Sequence, residues 1–159
     1  MPIPEFIVAL REKVGTDPLW LHGTTAVILR GEPGAEEVLL VRRADNGAWT
    51  PVTGCVEPGE HPAVAAAREA LEEASVVIEV ERLVSVDVTD PIRYDNGDQA
   101  QYLDIAFRCR HVSGEPRIGD DENTEVGWFR LDALPPMRER FLRGIRLAVL
   151  NEPEAVFER

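Results

Sequence analysis

Three carboxylates, Glu69, Glu72 and Glu73, stand at i, i+3 and i+4 in a stretch that reads as helix. At about 100° per residue they share one helix face. Like charges at that spacing repel by about 0.2–0.5 kcal/mol per pair. They also fall in the last turns, where the helix dipole disfavours anions. A nearby positive charge would offset both costs. A hard divalent cation with oxygen ligands, Mg²⁺ first and Mn²⁺ second, suits three glutamates best. The competing reading is a solvated acidic face, which Glu-x-x-Glu-Glu taken alone commonly is.

The flanking residues shift the balance. Gly54 is followed after five residues by Glu60, after seven more by Arg68-Glu69, and two residues later by Glu72-Glu73. The segment from Gly54 to Val76 resembles the Nudix box, a pattern with seven fixed positions of which this chain matches six. Ser75 stands where the box carries its last glycine. That position is a helix C-cap wanting φ > 0, which glycine adopts freely and serine at a cost of about 1 kcal/mol. Val52-Thr53-Gly54 precedes the box in place of the more frequent Leu-Pro-Gly-Gly run.

The resemblance implies an α/β/α sandwich around a mixed β-sheet, and Mg²⁺-dependent attack of water on a diphosphate linkage in a nucleoside diphosphate derivative. It implies that Glu69, Glu72, Glu73 and the Gly54 carbonyl ligate the metal, with Glu69 and Glu73 foremost. Arg68 is expected to pair with Glu60 or Glu72 and preorganise the loop against the helix. The general base is a box glutamate or one from a later loop; in 119–125, Glu122 is the first candidate and Glu125 the second. A catalytically silent Nudix domain, binding a nucleotide as sensor or regulator, is the alternative. Complete box glutamates and the lack of a basic helix-turn-helix weigh against it.

Composition narrows the partners. The chain has 159 residues, 44% hydrophobic and 29% charged, with a net charge of −12. This is an ordinary soluble composition for one domain. The acidity argues against a nucleic-acid polymer or an anionic membrane, where basic patches are needed. It does not disfavour a small phosphorylated ligand carried in by metal. Cys55 and Cys109 form no CxxC, no apolar run approaches the roughly 18 residues that span a bilayer, and the start has no signal-peptide pattern. The cytoplasm is the expected compartment.

The elements that must position the box follow from periodicity. Residues 4–14 form an amphipathic helix with Phe6, Ile7, Leu10 and Val14 on one side, as a dimer contact or padding for the sheet. Strands are expected at 22–30, 37–43, 77–89, 101–110 and 126–129. Asp45-Asn46-Gly47 and Asp95-Asn96-Gly97-Asp98 mark turns. Pro58-Gly59 turns into the box helix, with Pro62 at its first position. Val64, Ala67, Leu71 and Ala74 are expected as the buried stripe of that helix, opposite the carboxylates. A last helix covers 137–150. The domain reads as 19–151, with a lead-in at 1–18 and a loosely held tail at 152–159.

On the substrate side, Arg42 and Arg43 end a strand near the expected mouth and are candidate phosphate contacts. Tyr94 and Asp98 flank a hairpin turn that is expected to line it. Trp49 is a candidate for stacking on a base or for core packing. In the superfamily, Pro91 corresponds to an ADP-ribose cue, Tyr94 to a dinucleoside polyphosphate cue, and Val-Thr-Gly to a triphosphate cue. The three leave the substrate open.

Overall fold

The computed structural model describes residues 3–159. Their centre is β1 (Leu19–Arg30), antiparallel to β2 (Glu37–Arg43) and β4 (Val52–Cys55) and parallel to β7 (Gln99–Ser113). From Gly23 to Leu29 every residue of β1 is buried. A strand buried on both faces needs a cover on each side, and the two-residue alternation sorts its side chains between them. Ala26 and Ile28 pack with Ala66, Ala70 and Ala74 of α2 (Pro62–Ala74). Val27 and Leu29 pack with Ile145 and Ala148 of α3 (Glu139–Leu150). The result is the expected α/β/α sandwich.

The sheet runs β3-β2-β1-β7-β5-β9, with β3 at Trp49–Thr50, β5 at Val77–Val88 and β9 at Val156–Phe157. Three strands pair off this path: β4 on β1, β6 (Ile92–Arg93) on β7 and β8 (Asn123–Arg130) on β2. The register of β5 against β7 shifts at Val77/Ile78, at Val80/Arg82 and again at Leu83/Ser85. Such bulges turn a strand's side chains from one face to the other. The end of the chain departs from the expectation of a loose tail, because Val156 and Phe157 pair in parallel with Ser85 and Val86.

α2 corrects a second expectation. Val64 is 57% exposed and Leu71 56% exposed. The buried face instead carries Ala65, Ala66, Ala70 and Ala74 together with Glu69 and Glu73. The alanines let the helix lie close on the sheet. The apolar moment of the sequence pointed at the wrong stripe because two glutamates spend their burial on the site, and two larger apolar residues are left outside. Pro62 takes the first helical position and His61 makes no side-chain cap bond.

α1 (Glu5–Val14) packs Ile7 against Leu21 and Ala100, with Phe6 partly buried beside them. It pads the sheet, while Leu10 and Val14 remain 39% and 38% exposed. Among the described residues no helix is long and apolar enough to cross a membrane.

Candidate active site

The box loop ends β4 and turns into α2, so the sheet edge, the loop and the helix converge on Gly54. Glu69 lies directly over that glycine. A Cβ on Gly54 would stand less than 3.0 Å from Cγ, Cδ and Oε1 of Glu69. Only a residue without a side chain admits the carboxylate there.

Arg68 binds the two halves of the box. Its Nε donates to Glu60 Oε1 at 2.8 Å and its Nη2 to Glu60 Oε2 at 3.0 Å, a two-pronged pair. Nη1 donates to Glu69 Oε1 at 2.7 Å and to Glu72 Oε2 at 3.3 Å, and Nη2 also reaches the Cys55 carbonyl at 3.1 Å. Glu60 in turn accepts from the Glu57 backbone N–H at 3.1 Å, which ties the turn to the helix. Arg68 therefore pairs with both expected partners, and with Glu69 as well.

Glu69 is fully buried and Glu73 is 3% exposed. Burial pushes the Glu69 carboxyl up to about 7, against the pull of Arg68. Glu73 is pushed up to about 9, by burial first and then by the charges of Glu69 and Glu122. Asn123 Nδ2 donates to its Oε2 at 3.2 Å. The Oε2 of Glu69 is buried and has no hydrogen-bond partner among the described residues. An orphaned, inaccessible carboxylate oxygen costs several times what a satisfied one does, and a cation would satisfy it. The donor set, all oxygen, fits a hard divalent ion. As they stand, no three His, Cys, Asp or Glu among the described residues are gathered to ion-holding distance; Arg68 holds one oxygen of Glu69 and one of Glu72.

The second wall of the site is the segment between β7 and β8. It closes the end of α2 by donating to helix carbonyls that have no partner within the helix. Arg117 N–H reaches the Ala74 carbonyl at 3.1 Å and Gly119 N–H the Glu73 carbonyl at 3.1 Å. Gly119 has no room for a side chain, because its Cβ would stand less than 3.0 Å from the Glu72 carbonyl oxygen. Ser75 adopts the left-handed conformation (φ 57°, ψ 31°) that the box reserves for glycine. This docking brings Asp120 and Glu122 close enough for both to raise the Glu73 carboxyl. Asn123, the residue after Glu122, is 5% exposed.

The expected residues divide. Gly54, Glu60, Arg68, Glu69, Glu72, Glu73 and Glu122 come together. Arg43 joins them electrostatically: the charges of Glu122 and Glu73 act on its guanidinium, which Asp45 grips at 3.0 and 2.8 Å. Arg42 pairs with Glu125 at 2.7 Å on the exposed edge between β2 and β8. Tyr94 shares a 3.0 Å hydroxyl contact with Tyr102. Asp98 accepts from Asn96 at 3.1 Å and lies 3.6 Å from Arg11, where it helps dock α1. Trp49 packs edge-on against Phe129 at 4.9 Å. Asn123 and Asp120 were hidden in the acidic run. Their signal, a polar amide and an acid within three residues of the candidate base, has no meaning until the loop is placed against α2.

Residues 20–147 match the family model described as the NUDIX domain. The chain belongs to the Nudix hydrolase family. It is 32% identical over 121 residues to a MutT-like protein of Streptomyces ambofaciens, covering 76% of this chain and 71% of that one. It is 36% identical over 101 residues to the NAD-capped RNA hydrolase NudC of Erwinia tasmaniensis, covering 62% of this chain but only 36% of that protein's length. An ADP-ribose pyrophosphatase from Streptococcus suis shares the fold, with a TM-score of 0.67 at 22% identity over 87% of this chain and 98% of that one. Nudix hydrolases generally use divalent metal ions.

Proposed function

We propose that this protein is a Mg²⁺-dependent pyrophosphohydrolase of the cytoplasm that cleaves a diphosphate linkage in a small nucleoside diphosphate derivative by water attack on phosphorus. The observation that carries the reading is the buried Oε2 of Glu69, unpartnered among the described residues, on a side chain seated over Gly54 beside Glu73. Glu69, Glu72, Glu73 and the Gly54 carbonyl would hold the ion. When bound, it would neutralise phosphate charge, polarise the bond to be broken and lower the pKa of a coordinated water.

The chain's own residues supply the rest. Arg68 fixes Glu69 and Glu72 by a fork that needs no rearrangement. Glu122 is the general base, placed where it acts on Glu73 and Arg43; Glu125, held by Arg42 on the exposed edge, is the weaker candidate. Arg43 attracts the substrate phosphate. Acids this concentrated repel a substrate phosphate unless a cation accompanies it. We take the catalytic domain to be 19–151, with α1 and the last strand as additions to it.

The test is turnover of nucleoside triphosphates, ADP-ribose, nucleotide sugars and dinucleoside polyphosphates with Mg²⁺, beside Glu73→Gln and Glu122→Gln. One substrate should be cleaved, with each variant slowed by roughly 10²–10⁴-fold. Unchanged turnover in Glu73→Gln would remove the metal role. Stabilisation by nucleotide with no cleavage would favour the sensor alternative.

A further inference from the structure

α1 lies outside the span 20–147 that matches the family, yet its first turn borders the box. A cleft of about 760 Å³ opens between Ile3, Pro4 and Phe6 on one side and Pro58, Glu72 and Asp120 on the other. Small-molecule sites typically run to roughly 300–1,000 Å³. Four acids line the cleft, Glu5, Glu57, Glu72 and Asp120, and the last two make it continuous with the carboxylate cluster: Glu72 shares Arg68 with Glu69, and Asp120 acts on Glu73. The opposite wall carries Ile3, 56% exposed, with Pro4 and Phe6, and Glu5 at its rim.

That wall is held in place. Ile7 is buried against Leu21 and Ala100. Arg11 donates to the carbonyls of Gly15 at 3.1 Å and Gln99 at 2.7 Å. The first turn of α1 is therefore a preformed surface, of the kind that binds with little ordering cost.

We propose that residues 3–6, which lead into and begin this turn, are part of the substrate site, and that Ile3 and Phe6 receive the base of the substrate's nucleoside arm. The proposal rests on the pyrophosphohydrolase reading. The chemistry of the cleft selects the base over the other parts of such a molecule. Phosphates are repelled by Glu72 and Asp120 except where a cation lies between. A sugar presents hydroxyls on most sides and gains little from apolar walls. A flat, neutral heterocycle gains most by leaving water against Ile3, Pro4, Phe6 and Pro58.

The experiment is calorimetric titration of the full chain, in Mg²⁺, with AMP and with ribose 5-phosphate, for the wild type, Ile3→Glu, Phe6→Ala and Ile3→Trp. AMP should bind more tightly than ribose 5-phosphate. Ile3→Glu and Phe6→Ala should weaken AMP by about tenfold, the scale of one stacked base, and leave ribose 5-phosphate unchanged. Ile3→Trp should retain AMP binding. Phe6→Ala removes packing as well as a contact, so Ile3→Glu, at an exposed position, decides. Unchanged AMP affinity in Ile3→Glu, or equal weakening of both ligands, overturns the proposal. AMP binding with the expected pattern in a protein that cleaves no diphosphate supports the cleft and overturns the hydrolase reading instead.

Discussion

The carboxylate of Glu69 occupies the space that a side chain at Gly54 would fill. The glycine of the box is therefore a steric requirement of the site, and it places the least accessible carboxylate of the cluster. In Gly54→Ala either Glu69 leaves its seat or β4 shifts away from β1. The variant should lose about 1–3 kcal/mol of stability by overpacking. Its affinity for Mg²⁺ should fall by roughly 10–100-fold, as when a ligand's support is lost. Denaturant titration and Mg²⁺ calorimetry check the two effects separately.

Arg68 serves Glu60, Glu69, Glu72 and the Cys55 carbonyl at once. Lysine has three donors on a point charge and cannot reproduce that fork. Arg68→Ala should cost about 2–3 kcal/mol near pH 8, because it leaves Glu69 buried without its cation. The cost should shrink toward pH 5, where Glu69 takes up a proton. Arg68→Lys should recover less than half of the loss. Equal destabilisation at both pH values would mean that lost packing, and not charge, accounts for the effect.

Glu69 and Glu73 have carboxyls raised to about 7 and about 9 from the ordinary 4.5. The folded chain without divalent metal holds these protons more tightly than the unfolded chain does. Its stability from these groups is complete below about pH 4.5 and is lost as pH rises through 7 and then 9. A divalent ion needs the ionised forms, so its effect has the opposite slope. Melting curves with EDTA should show a falling Tm from pH 6 to 9. With Mg²⁺ in excess the decline should flatten, giving a larger Mg²⁺ gain at pH 9 than at pH 6. A gain independent of pH would argue that the ion binds elsewhere.

Ser75 holds a left-handed conformation at the end of α2. Ser75→Gly removes the steric cost of that conformation and adds back some freedom to the unfolded chain. The net expectation is up to about 0.5 kcal/mol of added stability, or a Tm rise of about 1–2 °C. Calorimetric melting reads it directly. A fall in Tm would show that the serine hydroxyl contributes more than its backbone costs.

Much of this was legible in the chain. Residue spacing alone put Glu69, Glu72 and Glu73 on one helix face, because 3.6 residues per turn is a local property. Glycine, proline and asparagine marked the turns for equally local reasons, and the strand at 37–43 was readable from its unbroken apolar run.

Tertiary structure decided what faces what. Sequence periodicity put Val64 and Leu71 inside and the carboxylates out; packing placed Glu69 and Glu73 inside, since the cost of burying them depends on Arg68 and Asn123, and Asn123 approaches only through a distant loop. The same holds for Asp98, read as a substrate contact and found beside Arg11, and for Val156–Phe157, whose pairing with β5 joins segments some seventy residues apart. Local rules reach about one helical turn or one strand pair. The partners of a buried charge come from anywhere in the chain, and only the folded structure names them.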